Sequence, residues 1–235
     1  MDAVVNHIGI IMDGNRRYAK THSSKLFDGY LKGAKKAEDI VKWCSEENIK
    51  EVTLYTFSLE NAFNRSFAEK KILEKLFQTT FNSLLKNKNL NENDIRIRFI
   101  GRRSVFEKGL VEVIEKLEKA TENHKKIIVN LAFYYGGRGE IVDAFKKILE
   151  DVDSGALNKD DIDEDTIKKY TYLDKSSYPE IVLRTGHVSR LSNFLLWHSA
   201  YSELYFIDKL WPEIEKQDLL DIIEKYKTTK KNFGE

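Results

Sequence analysis

Five apolar residues after His7 run straight into an acid, a glycine, an amide and two guanidinium groups in HIGIIMDGNRRYAK, residues 7–20. Arg16 and Arg17 can bind phosphate oxygens through charge-assisted hydrogen bonds. Gly14 lets the backbone approach a ligand closely, and the start of a following helix, at Asn15, would offer amide donors. Asp13 would repel a bare diphosphate but can hold one through magnesium. Two later clusters carry similar groups. Ser58-Leu59-Glu60-Asn61 is followed by Asn64-Arg65, and Arg184-Thr185-Gly186 by Arg190-Leu191-Ser192-Asn193. Two arginines and a hydroxyl make the latter a second phosphate clamp. Glu203, in Tyr201-Ser202-Glu203-Leu204, adds a further carboxylate.

Each cluster alone is ordinary surface punctuation; chemistry follows only if the fold brings them together. The clusters around Asp13, Asn61 and Arg184 each follow a short apolar, β-rich run. Such runs recur at Ile8–Met12, Val52–Phe57, Ile95–Ile100, Ile127–Phe133 and Ile181–Leu183, with a sixth candidate at Leu204–Phe206. Helical patterns lie between most of them, the signature of an α/β fold with a mainly parallel sheet. In such sheets ligands bind beyond the C-terminal strand ends, where these clusters fall.

The clearest helix follows Ser66-Phe67-Ala68-Glu69, which reads as a capping box. Ile72, Leu73, Leu76, Phe77, Phe81, Leu84 and Leu85 then share one face. Ser104-Val105-Phe106-Glu107 is a second capping-box candidate, leading to Leu110, Val113, Ile114 and Leu117. A helix over 29–47 uses Ala34, Ala37, Ile40, Val41 and Cys44, and further helices are predicted over 137–150 and 216–228. The polar stretch 151–165 reads as a surface insertion. No repeat or low-complexity linker divides the chain, so residues 1–235 are read as one domain.

Lys+Arg at 39 nearly cancel Asp+Glu at 38, which removes the global basic field that non-specific nucleic-acid binding requires. Any anion site is therefore local, and nucleic acid is not an expected partner. No apolar run approaches the roughly 20 residues that span a bilayer, and residues 1–12 lack a basic start and a long apolar stretch. A soluble, cytoplasmic protein is expected. Cys44 is the single cysteine, so an intrachain disulfide is excluded, and the five histidines form no close ligand spacing with it.

Two motifs admit a plainer reading. Asp160-Asp161-Ile162-Asp163-Glu164 matches the DDxx(D/E) pattern by which trans-type prenyl synthases hold magnesium diphosphate, yet acids before a helix ordinarily complement its positive N-terminal end. Gly136-Gly137-Arg138-Gly139 could cradle phosphate, but it fits neither a Walker A pattern nor a dinucleotide fingerprint, and glycine permits a tight strand-to-helix turn.

HIGIIMDGNRRYAK, TLYTFSLENAFNR, IRIRFIG, YYGGRGEI and RTGHVSRLSNFLLWHSAYSELYFIDKLWPEI occur in an order and approximate spacing that resemble the cis-prenyltransferase, or undecaprenyl diphosphate synthase, family over nearly the whole chain. The resemblance implies magnesium-dependent condensation of an allylic diphosphate with isopentenyl diphosphate, forming a cis-polyprenyl diphosphate for lipid-carrier synthesis. It also implies a homodimer, an apolar product tunnel and peripheral membrane contact for product release. By position, Asp13 resembles the family's magnesium and diphosphate aspartate, and Gly14, Asn15, Arg16, Arg17 and Arg65 its allylic-diphosphate pocket. Arg184, Arg190 and Ser192 match the isopentenyl-diphosphate clamp, Glu203 an acid assisting at the metal, and Asn61 a position near the reacting carbons. The helix bearing Ile72, Leu76, Phe77, Phe81 and Leu84 could line the tunnel or simply fill the core.

The chain departs from the family pattern at several points. Arg16 stands for a second glycine, Tyr18 for tryptophan, Leu26 for an arginine and Gly29-Tyr30 for Gly-His. Ala62–Ser66 is one residue longer and lacks a proline, while His187-Val188 replace a second glycine and a glutamate. These changes bear on substrate identity and leave two alternatives open: head-to-middle coupling of allylic diphosphates or prenyl transfer to another acceptor, and a non-catalytic partner subunit.

Overall fold

The computed structural model describes residues 4–86, 90 and 92–229. Six strands form one sheet in the order β3-β4-β2-β1-β5-β6, with every neighbouring pair parallel. They are β1 (His7–Ile11), β2 (Glu51–Ser58), β3 (Ile95–Ile100), β4 (Ile127–Tyr135), β5 (Ile181–Thr185) and β6 (Glu203–Ile207). All five β1 residues and all five β5 residues are buried. That explains their unbroken apolar character, since strands covered on both faces lose the inside–outside alternation.

Among the described residues the helices are α1 (Asn15–Thr21), α2 (Leu26–Glu46), α3 (Leu59–Asn64), α4 (Phe67–Lys86), α5 (Lys108–Thr121), α6 (Gly137–Asp153), α7 (Glu164–Tyr170) and α8 (Lys216–Thr228). The predicted helix over 216–228 is found at those bounds, and 29–47 extends back to Leu26. Half of the first capping box forms: Ser66 Oγ accepts from the Glu69 N–H at 3.3 Å. The Glu69 carboxylate turns instead to Arg65 and Tyr30.

The second capping box does not form. Arg103–Val105 is a 3₁₀ turn, and α5 starts at Lys108 with Glu107 as its cap residue. Phe106 is drawn onto the sheet against Phe133 and Tyr134, with ring centroids 5.3 and 5.2 Å away. Arg103 donates to the Glu118 carboxylate of α5 at 2.6 Å. The acidic run at 160–164 is a helix start: the Asp163 carboxylate accepts from the Thr166 N–H and hydroxyl, both at 2.7 Å.

β1 and β5 are adjacent, yet the chain leaves β1 toward β2 on one side and leaves β5 toward β6 on the other. Their C-terminal ends therefore flank a topological switch point, the crevice in which open α/β sheets bind ligands.

Candidate active site

Ile11 of β1 pairs with Arg184 of β5, so the residues just beyond β1 meet the Arg184 side chain at the switch point. Only 5% of that side chain is exposed. It donates to Asp13 Oδ2 at 3.0 Å and to Ser192 Oγ at 2.7 Å, and also reaches the Arg190 carbonyl. Arg190 Nε donates to the same hydroxyl at 3.2 Å. Arg17 lies 3.6 Å from Asp13 Oδ1 and donates to the Gly186 carbonyl. Asp13, Arg17, Arg184, Arg190 and Ser192, spread over 180 positions of sequence, thus form one cluster. Arg184 Nε is buried without a hydrogen-bond partner.

The backbone around this cluster is fixed independently of its charges. Thr185 Oγ1 donates to the Asp13 carbonyl at 2.8 Å, and the Trp211 N–H donates to the same oxygen at 3.0 Å. Gly14 adopts φ 123°, and a Cβ there would sit 2.9 Å from Leu210 Cα and from Trp211 N. Conformation and space both require glycine.

A second cluster forms where α2, α3 and α4 approach. Arg65 donates to Glu69 Oε1 at 2.6 Å and to the Tyr30 hydroxyl, and Arg16 Nη1 lies 3.7 Å from the same Glu69 oxygen. Arg16 and Arg65 thereby share one carboxylate, with Tyr30 and Glu69 as partners that sequence spacing did not reveal. Burial raises the Tyr30 hydroxyl pKa, opposed by Arg65, so the phenol stays protonated. Arg65 Nε is buried and unpartnered.

Ser58, the last residue of β2, caps α3 by accepting from the Asn61 N–H at 3.0 Å. The β2–β4 register shifts between Tyr55, Phe57 and Ser58, an irregularity that re-aims the chain as it leaves the sheet. Gly136 and Gly137 do not form an open phosphate cradle: the Gly137 N–H donates to the Asn193 carbonyl at 2.7 Å and the Arg138 N–H to Asn193 Oδ1 at 2.8 Å.

A cavity of about 700 Å³ lies between the sheet and helices α2 and α4. Asn15, Tyr30 and Arg65 contribute polar groups to it, while Leu54, Phe57, Val129 and Leu131 form an apolar wall. Leu73, Leu76, Phe77, Phe81 and Leu84 of α4 line it, and Leu73, Leu76, Phe77 and Phe81 also belong to the hydrophobic core; Ile72 does not line it. Asn15 Oδ1 is buried without a partner at the cavity edge. Trp211 Nε1 donates to the Gly33 carbonyl at 2.8 Å, joining the cavity wall to the loop beyond β1.

Glu203 is not brought to the site of its own chain. It pairs with Ile181 at the start of β5, whereas Arg184 pairs with Phe206. Its carboxylate accepts from the Tyr205 hydroxyl at 2.5 Å. A parallel register places these two ends on opposite edges of the sheet, so proximity to Arg184 in sequence did not translate into proximity in space. His187 is exposed at φ 55°, with Nδ1 3.3 Å from Asp208 Oδ1. Among the described residues no group of three or more His, Cys, Asp or Glu side chains could enclose a metal ion. A lone Asp13 carboxylate, 37% exposed and beside phosphate-binding arginines, instead fits a cation shared between protein and substrate phosphates.

A family model described as undecaprenyl diphosphate synthase matches residues 11–234. The tritrans,polycis-undecaprenyl-diphosphate synthase (geranylgeranyl-diphosphate specific) of Pyrococcus horikoshii is 44% identical, covering 97% of this chain and 86% of that protein. The protein of the same name from Thermoplasma acidophilum is 45% identical, with coverage of 97% and 88%. The crystal structure of lavandulyl diphosphate synthase from Lavandula x intermedia in complex with dimethylallyl diphosphate superposes with a TM-score of 0.93 at 33% identity, covering 98% of each chain. With this fold, this switch-point cluster and these relatives, the chain belongs to the undecaprenyl diphosphate synthase family of cis-prenyltransferases.

Proposed function

We propose that the protein elongates an allylic diphosphate with isopentenyl diphosphate, at an active site built around Asp13 and Arg184, to give a cis-polyprenyl diphosphate for lipid-carrier synthesis. The observation that carries this reading is one buried guanidinium, Arg184, joining Asp13 beyond β1 to Ser192 beyond β5, near a cavity of about 700 Å³ with one apolar wall.

Arg184, Arg190 and Ser192 bind the isopentenyl diphosphate, whose oxygens displace the protein carbonyl and hydroxyl now holding the guanidinium groups. Gly14, Asn15, Arg16, Arg17 and Arg65 form the allylic-diphosphate side. Asn61 stands near the reacting carbons, and the cavity takes the growing chain. Asp13 would hold magnesium together with diphosphate oxygens; the bound ion would supply charge neutralisation for the leaving diphosphate. The arginines stabilise the same developing charge as the allylic carbon–oxygen bond breaks. The isopentenyl double bond attacks the allylic carbon, and loss of a proton to a diphosphate oxygen completes the new cis double bond. The apolar wall of Leu54, Phe57, Val129 and Leu131 would face the growing chain.

Homodimer formation is part of this reading. Val142, Phe145 and Leu149 share one face of α6 and are 48%, 59% and 45% exposed, and Leu204 and Phe206 are exposed on edge strand β6. Such unpartnered apolar surface is what a second copy would cover. No helix among the described residues is long and apolar enough to cross a membrane, so contact with a bilayer during product release would be peripheral.

The relatives' names make geranylgeranyl diphosphate the first allylic substrate to try. Purified protein, magnesium and labelled isopentenyl diphosphate would be incubated with allylic diphosphates of several lengths, and products resolved by mass. A ladder of whole isoprene increments with cis geometry by NMR is expected; branched allylic products, or no incorporation with any allylic partner, would overturn the reading.

A further inference from the structure

Asn193 makes more cross-element hydrogen bonds than its place beside Ser192 would require. Its Oδ1 accepts from the Arg138 N–H at 2.8 Å and its carbonyl from the Gly137 N–H at 2.7 Å, both at the start of α6. Its Nδ2 donates to Glu60 Oε1 of α3 at 2.6 Å. Neighbouring Tyr55 donates from its hydroxyl to the Ser192 carbonyl at 3.4 Å. Three segments that leave β2, β4 and β5 are therefore tied at one side chain.

Backbone and space are arranged around this contact. Ser192 and Asn193 have φ 49° and 66°, a region asparagine tolerates better than most residues. A Cβ on Gly136 would lie 2.7 Å from Asn193 Nδ2, and one on Gly137 would lie 3.0 Å from Leu196 N. The paired glycines thus make room for the loop after β5. Glu60 directly precedes Asn61, and Asn193 directly follows Ser192.

We propose that Asn193 is a positioning residue whose amide bond to Glu60 fixes the loop carrying Arg190 and Ser192 against the helix carrying Asn61, and so sets the alignment of the two reacting substrates. It rests on the assignment of Ser192 to the isopentenyl-diphosphate side and Asn61 to the reacting carbons. Misalignment of reacting atoms lowers turnover without abolishing binding, so the bond acts on both kcat and one KM.

Asn193→Asp keeps the acceptor for the Arg138 N–H but places a second carboxylate against Glu60. Loss of a charge-assisted bond here is expected to lower kcat about tenfold to a hundredfold. KM for isopentenyl diphosphate should rise, and KM for the allylic substrate should stay within about twofold. Glu60→Gln in the Asn193→Asp background restores the pair with donor and acceptor exchanged, and should recover most of the lost kcat. A bond serving stability alone would lower the melting temperature without the KM split.

Normal kinetics in folded Asn193→Asp, or no recovery in the double variant, would overturn the inference. Should Asn193→Asp fail to fold, Glu60→Ala decides, because that exposed side chain removes only the α3 end of the bond; the same KM split is expected, and unchanged kinetics would refute the role. Asp13→Ala measured alongside separates the two levels. Normal turnover there would overturn the site assignment, whereas loss there with normal Asn193→Asp and Glu60→Ala would overturn only the role of Asn193.

Discussion

Asp13 is held in place by its main chain, whose carbonyl takes hydrogen bonds from Thr185 and Trp211, while its carboxylate faces Arg17 and Arg184. Chemistry and scaffold are thus separable at this residue. Asp13→Ala should keep the fold, because the lost carboxylate is more than one-third exposed. Turnover should fall by about a hundredfold or more with the loss of its electrostatic contribution. Circular dichroism with steady-state rates would check both; near-normal turnover would reject the assignment. Cys44 illustrates the opposite case: burial pushes its thiol pKa up, leaving an inert core residue, as its place on the α2 pattern implied.

The turns after β1 and β5 interlock, so the site depends on connections between elements as much as on side chains. Gly186 takes φ 90°, its N–H donates to the Lys209 carbonyl at 2.7 Å, and its carbonyl accepts from Arg17. An added Cβ would lie 2.9 Å from the Asp13 carbonyl oxygen and 2.6 Å from an Arg17 nitrogen. Gly186→Ala is therefore expected to cost about 1–3 kcal/mol of stability through backbone strain and crowding. It should also reduce kcat/KM, since Asp13 and Arg17 must shift. Denaturant titration and kinetics on one preparation would test this; an unchanged unfolding midpoint would refute it. Helix positions were largely legible because apolar periodicity survives local variation. The start of α5 was not, because Phe106 packing on the sheet outweighs a local capping preference.

Across the molecule, the edge of the sheet opposite the active site carries a buried polar network. The His7 ring contacts the Ser177 carbonyl and Thr53 Oγ1, both at 2.7 Å, with Glu51 3.9 Å away. Burial lowers the His7 pKa, opposed by Glu51 and Glu180 and reinforced by His198. The unfolded chain then binds a proton near pH 6.5 before the native state does. His7 therefore imposes no penalty above about pH 6.5, and stability falls as pH drops from there through the lower folded pKa. Urea midpoints measured between about pH 7.5 and 5.5 should decline less steeply for His7→Gln than for the parent; equal slopes would contradict the assignment. For the homodimer proposed above, Phe145→Asp, on the exposed face of α6, should shift the protein toward monomer in sedimentation experiments, and an unchanged oligomeric state would argue against that face.

By itself the sequence determined the parallel α/β class, five strand positions with a sixth candidate, and the residue clusters that follow the strand ends. Those features follow from hydrophobic period and from residue chemistry, both local properties. Tertiary structure decided which clusters converge. Arg184 reaches Asp13 because β1 and β5 are neighbours in register, and Glu203 stays away because β6 presents it at the other edge of the sheet. Glu69, Tyr30, Trp211 and Asn193 entered the site region only through contacts between segments distant in sequence. Strand order and register are long-range pairings, and no spacing along one chain encodes them directly.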